Sequence, residues 1–182
     1  MLNPDDALQL FSSYAFENES PSQAFRELSV EVVSATDGVP LALVVIGSLL
    51  HKYKDPQVWK DIIKRSAKIP FDAVNDRLRI SYDNLKSDQK QIFLDIACFF
   101  IGTEKTNPIY MWDACEYCPR WALAVLCSRS LVKILDNDQI WMHDQLKDLG
   151  RDIVCEDILN DPKKCSRKEA TQVVKSKKTI SA

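Results

Sequence analysis

The chain has 182 residues, 46% hydrophobic and 27% charged, with a net charge of −2. That balance is globular, and the length allows one domain or two small ones. Four glycines argue against a Gly-rich catalytic loop, no apolar run reaches the roughly 18 residues that span a bilayer, and Met1-Leu2-Asn3-Pro4 does not read as the start of a signal peptide.

The charge is unevenly spread. Residues 162–182 carry seven Lys or Arg and one Glu, a balance of +6, and the preceding 161 residues carry 17 basic and 25 acidic residues, a balance of −8. The body is acidic, and residues 161–182 read as a basic linker or tail. Six cysteines are present: Cys98, Cys115, Cys118, Cys127, Cys155 and Cys165. Without a secretory signal they are expected to be reduced thiols in a cytoplasmic or nuclear chain. Cys115-Glu-Tyr-Cys118 is a lone pair. Zinc needs two further ligands at suitable spacing, and His51 and His143 do not supply them, so no metal site is expected.

In chain order, Asn3-Pro4-Asp5-Asp6 predicts a helix start: an N-cap, a proline at the first helical position and acids at the positive helix end. Ala7, Leu8, Phe11, Tyr14 and Ala15 form one face. A second helix is predicted from about Ser22 to Thr36, with Phe25, Leu28, Val32 and Val33 inward and Asp37-Gly38 as its stop. Pro40 starts a third, from Leu41 to about His51, apolar nearly all round and so the buried centre of a small bundle. Asp55-Pro56 starts a fourth, presenting Val58, Trp59, Ile62 and Ile63, which Ile69-Pro70 ends. The second half opens with a helix over residues 72–85. Ser87 is then expected to cap a helix from Asp88 to Phe100 with Ile92, Phe93, Ile96, Ala97 and Phe99 inward. Asn107-Pro108 and Pro119-Arg120 start two shorter helices.

From Val132 to His143 the period changes from helical to alternating. Val132, Ile134, Ile140 and Met142 alternate with Lys133, Leu135, Gln139 and Trp141 around Asp136-Asn137-Asp138, a short hairpin signal. Asp144 stands where an N-cap belongs, and Leu146, Leu149, Ile153 and Val154 come after it at helical spacing. A hairpin between two amphipathic helices is a winged-helix pattern. The fold expected is therefore mainly α: a small helical bundle over residues 1–69, then a winged-helix domain with one β-hairpin over residues 70–160.

The chemistry inventory is thin. There is no GxSxG, no P-loop, no paired carboxylates in an apolar setting and only two distant histidines, so no enzyme is expected. A winged helix invites a nucleic-acid reading. The helix before the hairpin carries only Arg120 and Arg129 as bases, where DNA binding rests on several phosphate contacts. On spacing alone, His143 reads as a half-buried histidine bonded to a backbone group, and Pro40 as a helix start.

Gly38-Val39-Pro40-Leu41-Ala42-Leu43 resembles the Gly-Leu-Pro-Leu-Ala-Leu motif of plant nucleotide-binding leucine-rich-repeat disease-resistance proteins. The stretch from Phe93 to Phe100 looks like the corresponding motif of their TIR-type branch. Met142-His143-Asp144 is similar to their Met-His-Asp motif, and Leu149-Gly150-Arg151-Asp152-Ile153-Val154 to the helical stretch behind that motif. The four come in family order over nearly the whole chain, and the stretches from Ile101 to Thr103 and around Met111-Trp112 most resemble the flax rust-resistance type. The resemblance implies the two ARC subdomains of an NB-ARC switch, a helical bundle (the first ARC subdomain) and a winged helix. It implies that Pro40 lies against the adenine of bound ADP and that His143 contacts its β-phosphate. By family order the P-loop subdomain, the TIR domain and the leucine-rich repeats lie outside this stretch. The chain is thus expected to be a fragment of an immune receptor, binding ADP weakly or not at all by itself. Its expected partners are those missing domains and, indirectly, a pathogen effector, with no membrane and no nucleic acid.

Overall fold

A computed structural model describes residues 2–16, 22–66 and 74–160. The expected basic tail and the expected stop at Ile69-Pro70 lie outside the described residues. Contacts divide the chain into two units, Met1–Leu85 with Ser128–Ser130, and Lys86–Cys127 with Leu131–Ala182. The sequence pattern puts the seam near residue 69. The contacts place it after Leu85, because the helix Val74–Asp83 buries Leu78 and Ile80 within the first unit.

The first unit is a helical bundle of α1 (Pro4–Ala15), α2 (Gln23–Ala35), α3 (Pro40–Leu50), α4 (Pro56–Ser66) and α5 (Val74–Asp83). Its starts obey the expected chemistry. Asn3 Oδ1 accepts from the Asp6 amide at 2.8 Å, and Asp55 Oδ1 from the Gln57 amide at 2.8 Å; in both cases a proline holds the first helical position. The core joins Ala7, Phe11, Leu28, Val32, Leu43, Ile46, Leu50 and Trp59. Trp59 is its hub. Phe11 meets it edge-on at 5.9 Å, Phe25 at 4.9 Å, and Phe16 stacks on it at 5.5 Å. Its indole N–H is satisfied by the Tyr53 carbonyl at 2.9 Å. Helix α3 is the buried centre, as its apolar sequence requires. Gly47 lets α1 close on it: a Cβ there would sit 3.1 Å from Tyr14 Cβ and 3.2 Å from the Phe11 carbonyl oxygen.

The second unit comprises α6 (Ser87–Asp95), a π-helical turn (Ile96–Phe100), α7 (Thr106–Ala114), α8 (Pro119–Ser128), β1 (Lys133–Ile134), β2 (Ile140–Trp141) and α9 (Asp144–Asn160). The strands pair antiparallel with Lys133 opposite Trp141 and Ile134 opposite Ile140. The alternation holds: Val132, Ile140 and Met142 are buried while Lys133, Leu135 and Trp141 are exposed. Asp138 takes φ 60 to close the turn, and Lys105 pairs with it at 2.6 Å. A segment the sequence does not disclose pairs with the other side of β2. Gly102 N–H donates to the Ile140 carbonyl at 2.8 Å, and Ile140 N–H to the Thr103 carbonyl at 2.9 Å.

Two expectations for this unit are corrected. Lys86, not Ser87, is the residue before α6, and Gln89 Oε1 accepts from the Lys86 amide at 3.1 Å. The helix expected to run unbroken to Phe100 widens into the π turn, which shifts the register of its last residues. Ile96 and Ala97 stay buried, and Phe99, expected inward, is 44% exposed. Trp112, fully buried, anchors this element by donating to Asp95 Oδ2 at 3.0 Å and meeting Phe100 edge-on at 5.5 Å.

Candidate functional site

Pro40 belongs to the first unit, at the end of a reversal between α2 and α3. Thr36 Oγ1 donates back to the Val32 carbonyl at 2.9 Å. Two consecutive residues then take left-handed conformations, Asp37 at φ 52 and Gly38 at φ 62. Gly38 suits that conformation, and its bareness also admits the Leu2 carbonyl oxygen, which a Cβ would approach to 3.2 Å. Val39 returns to an extended backbone and donates to the Thr36 carbonyl at 3.1 Å. Pro40 then opens α3 as its first residue, exposed to solvent. Proline has no N–H to leave unpaired there.

The turn is held from α5. Arg77 Nη2 donates to Asp37 Oδ2 at 2.7 Å, with the Arg77 side chain 4% exposed. Sequence reading misses this contact. An arginine among polar neighbours in Asn75-Asp76-Arg77 carries no signal that it points inward, and its partner lies 40 residues away.

His143 belongs to the second unit, between the hairpin and α9. Strand β2 ends at Trp141, Met142 is buried, and the ring of His143 is half-buried, edge-on to Trp141 at 6.2 Å. Lys133 Nζ lies 5.5 Å from the centre of the same Trp141 ring. The expectation that Asp144 caps α9 is corrected. Asp144 is already the first helical residue, and its carboxylate accepts instead from Lys147 Nζ. The capping residue is His143: its carbonyl accepts from the Lys147 amide at 3.0 Å, and its ring Nδ1 lies 3.2 Å from the Gln145 amide nitrogen. The reason is register. Two residues join β2 to α9; Met142 is buried from the strand side, which leaves His143 directly before the helix. The Lys147 ammonium beside Asp144 holds its carboxyl below the usual carboxylate range, through the hydrogen bond first and its charge second.

The helix ahead of the hairpin does not present a row of cations. Arg120 is paired with Asp113 at 2.9 Å, and Arg129, 8% exposed, reaches the Ser81 carbonyl at 3.4 Å within the first unit. Burial pushes the Arg129 guanidinium down and, together with the Arg129 charge, pushes the Lys52 ammonium down. What α8 offers solvent is Trp121, 62% exposed, beside Arg120 and Ala124. No group of three or more His, Cys, Asp or Glu among the described residues could hold a metal ion. No helix among them is long and apolar enough to cross a membrane.

Residues 86–157 match the family described as the winged-helix domain of Roq1-like disease resistance proteins. Curated relatives extend the similarity across both units. The chain is 40% identical over 165 residues to TMV resistance protein N of Nicotiana glutinosa, a match covering 90% of this chain and 14% of that protein. It is 37% identical over 166 residues to disease resistance protein RUN1 of Vitis rotundifolia, covering 91% and 12%. It is 37% identical over 155 residues to disease resistance protein RRS1 of Arabidopsis thaliana, covering 84% and 11%. The chain thus spans 11–14% of the length of these relatives. With its hairpin, its flanking helices and this similarity, the chain belongs to the plant disease-resistance proteins, and residues 86–157 are their Roq1-like winged-helix domain.

Proposed function

We propose that the chain is the ARC portion of an NB-ARC nucleotide switch in a plant immune receptor, with residues 1–69 in the helical ARC subdomain, the winged helix within residues 70–160 and a basic linker over 161–182. Pro40 and His143 each contribute a contact to ADP held by the receptor's nucleotide-binding domain. The residues fit that ligand. Pro40 is exposed at a helix start and offers a flat apolar ring with no N–H beside it, suited to adenine. His143 has one ring nitrogen engaged by the backbone and the other outside that bond, suited to a phosphate oxygen. What supports this reading is the place of His143 in the two-residue join between hairpin and α9, directly ahead of the helix it caps. A ligand gripping that ring engages the winged helix where its hairpin meets α9, so ADP bound there favours the closed over the open state by differential contact.

The sequence carries no P-loop motif, so we read its winged-helix and helical units as an interaction and transmission module and not as an ATPase. Their partners are the nucleotide-binding, TIR and leucine-rich-repeat domains of the receptor and, through these, an effector, in the cytoplasm or nucleus. The test is calorimetry and a receptor graft. The 182-residue chain alone should neither hydrolyse ATP nor bind ADP with micromolar affinity. A receptor carrying this segment should purify with ADP, and His143→Ala should lower the ADP retained. Micromolar ADP binding by the isolated chain, or full retention by the variant receptor, refutes the assignment.

A further inference from the structure

The bond between His143 and the Gln145 amide has a chemical consequence for the ring. A backbone N–H can only donate, so the nitrogen 3.2 Å from it must present a lone pair. We infer that the first turn of α9 fixes His143 in the Nε2–H tautomer, so that the ring meets its ligand as a neutral single donor. Its ligand contact, which rests on the proposed place of His143 in the switch, is therefore to an acceptor oxygen such as that of a phosphate. A metal ion is excluded at Nε2 in this tautomer, because the nitrogen's electron pair is committed to its proton. Charging the ring would place a second proton on Nδ1 and break the bond that caps the helix.

The surroundings reinforce a single ring pose. Trp141 stands edge-on to the ring at 6.2 Å on the strand side. On the helix side the adjoining acid in the chain, Asp144, is engaged by Lys147. Asp144 also feels the charge of Arg151. The ring thus does two jobs with two atoms, Nδ1 for the helix and Nε2 for the ligand, and substitutions can separate them. Asparagine is short and among the best capping residues, so it keeps the first job and loses the second. Glutamine places an amide donor farther out, keeping reach toward a ligand and losing the cap.

The 182-residue chain, labelled with nitrogen-15, is suited to a long-range proton–nitrogen correlation at pH 8 without nucleotide. Nδ1 of His143 should resonate as the unprotonated, pyridine-type nitrogen and Nε2 as the protonated one. Thermal unfolding of two variants adds a second readout. His143→Asn should melt within about 1 °C of the parent chain, and His143→Gln about 2–4 °C lower. A protonated Nδ1, signals averaged between the two tautomers, or equal melting of the two variants would overturn the assignment. Since no nucleotide enters, these outcomes stand apart from whether the receptor retains ADP.

Discussion

Asp144 is the one acid of Met142-His143-Asp144 and lies exposed, and its role comes from what it touches. Its carboxylate meets Lys147 one turn on and sits at the positive end of α9. The backbone bonds at this helix start are made by His143, through its carbonyl and its ring. Asp144→Val should therefore leave the Gln145 amide on Nδ1, and lower the melting temperature less than His143→Gln does. Equal loss in the two variants would return the cap to Asp144. The pH dependence has a definite sign. A carboxyl held below its unfolded value stabilises the fold above that unfolded value, and the contribution fades as pH falls through the folded value. The Asp144 contribution is thus present at neutral pH and lost in acid, and full exposure with salt screening keeps it small. Among the thiols, Cys127 stands apart. Burial pushes it up, against smaller opposing effects from the Ile134 backbone and Lys105. Cys115 and Cys118 are exposed. At pH 7.5 an alkylating reagent should label those two well before Cys127, and mass spectrometry at short times would show it. Prior labelling of Cys127 would contradict the burial.

The join of α6, the π turn and α9 rests on one close approach. A Cβ on Gly150 would come 2.5 Å from Ala97 Cβ, which no side chain can occupy without a shift. Gly150→Ala should then destabilise the winged helix by about 1–3 kcal/mol, the usual cost of overpacking. Ala97→Gly introduced alongside it should restore part of that loss, a coupling that denaturant titration of the two single variants and the double would measure. Strict additivity would mean the two helices do not meet there. This element also marks where sequence reading stops. The hairpin is legible because alternation around Asp136-Asn137-Asp138 has one structural reading, and the helix starts at Pro4, Pro40 and Pro56 because proline chemistry is local. The π turn is not, since Ile96 to Phe100 is an apolar run in which one register of inward residues looks like another. The capping residue of α9 escapes sequence reading for a similar reason: His143 and Asp144 are adjacent and both can cap, and burial of Met142 makes the choice. Pro40 and His143 can be singled out only through the family motifs, because neither burial nor periodicity marks them.

Each unit carries its own aromatic centre, Trp59 in one and Trp112 in the other, and both are almost fully buried. The first gathers Phe11, Phe16 and Phe25 around Trp59, and the second sets Trp112 against Phe100 and Asp95. A chain with two such cores is not bound to unfold in one step. Phe11 is fully buried at the contact of α1 with the Trp59 cluster, so Phe11→Ala should cost about 3–5 kcal/mol. That cost belongs to the first unit, because the contacts Phe11 makes lie within it. Hydrogen exchange of the variant should show protection lost from α1 to α4, while the amides of α6, α8 and α9 keep most of theirs. The converse variant, Trp112→Ala, should expose the winged helix and spare α1 to α3. If Phe11→Ala strips protection from α9 as fully as from α3, the two cores form one cooperative unit. An ADP contact at either Pro40 or His143 would then stabilise the whole chain and not only the unit that carries it.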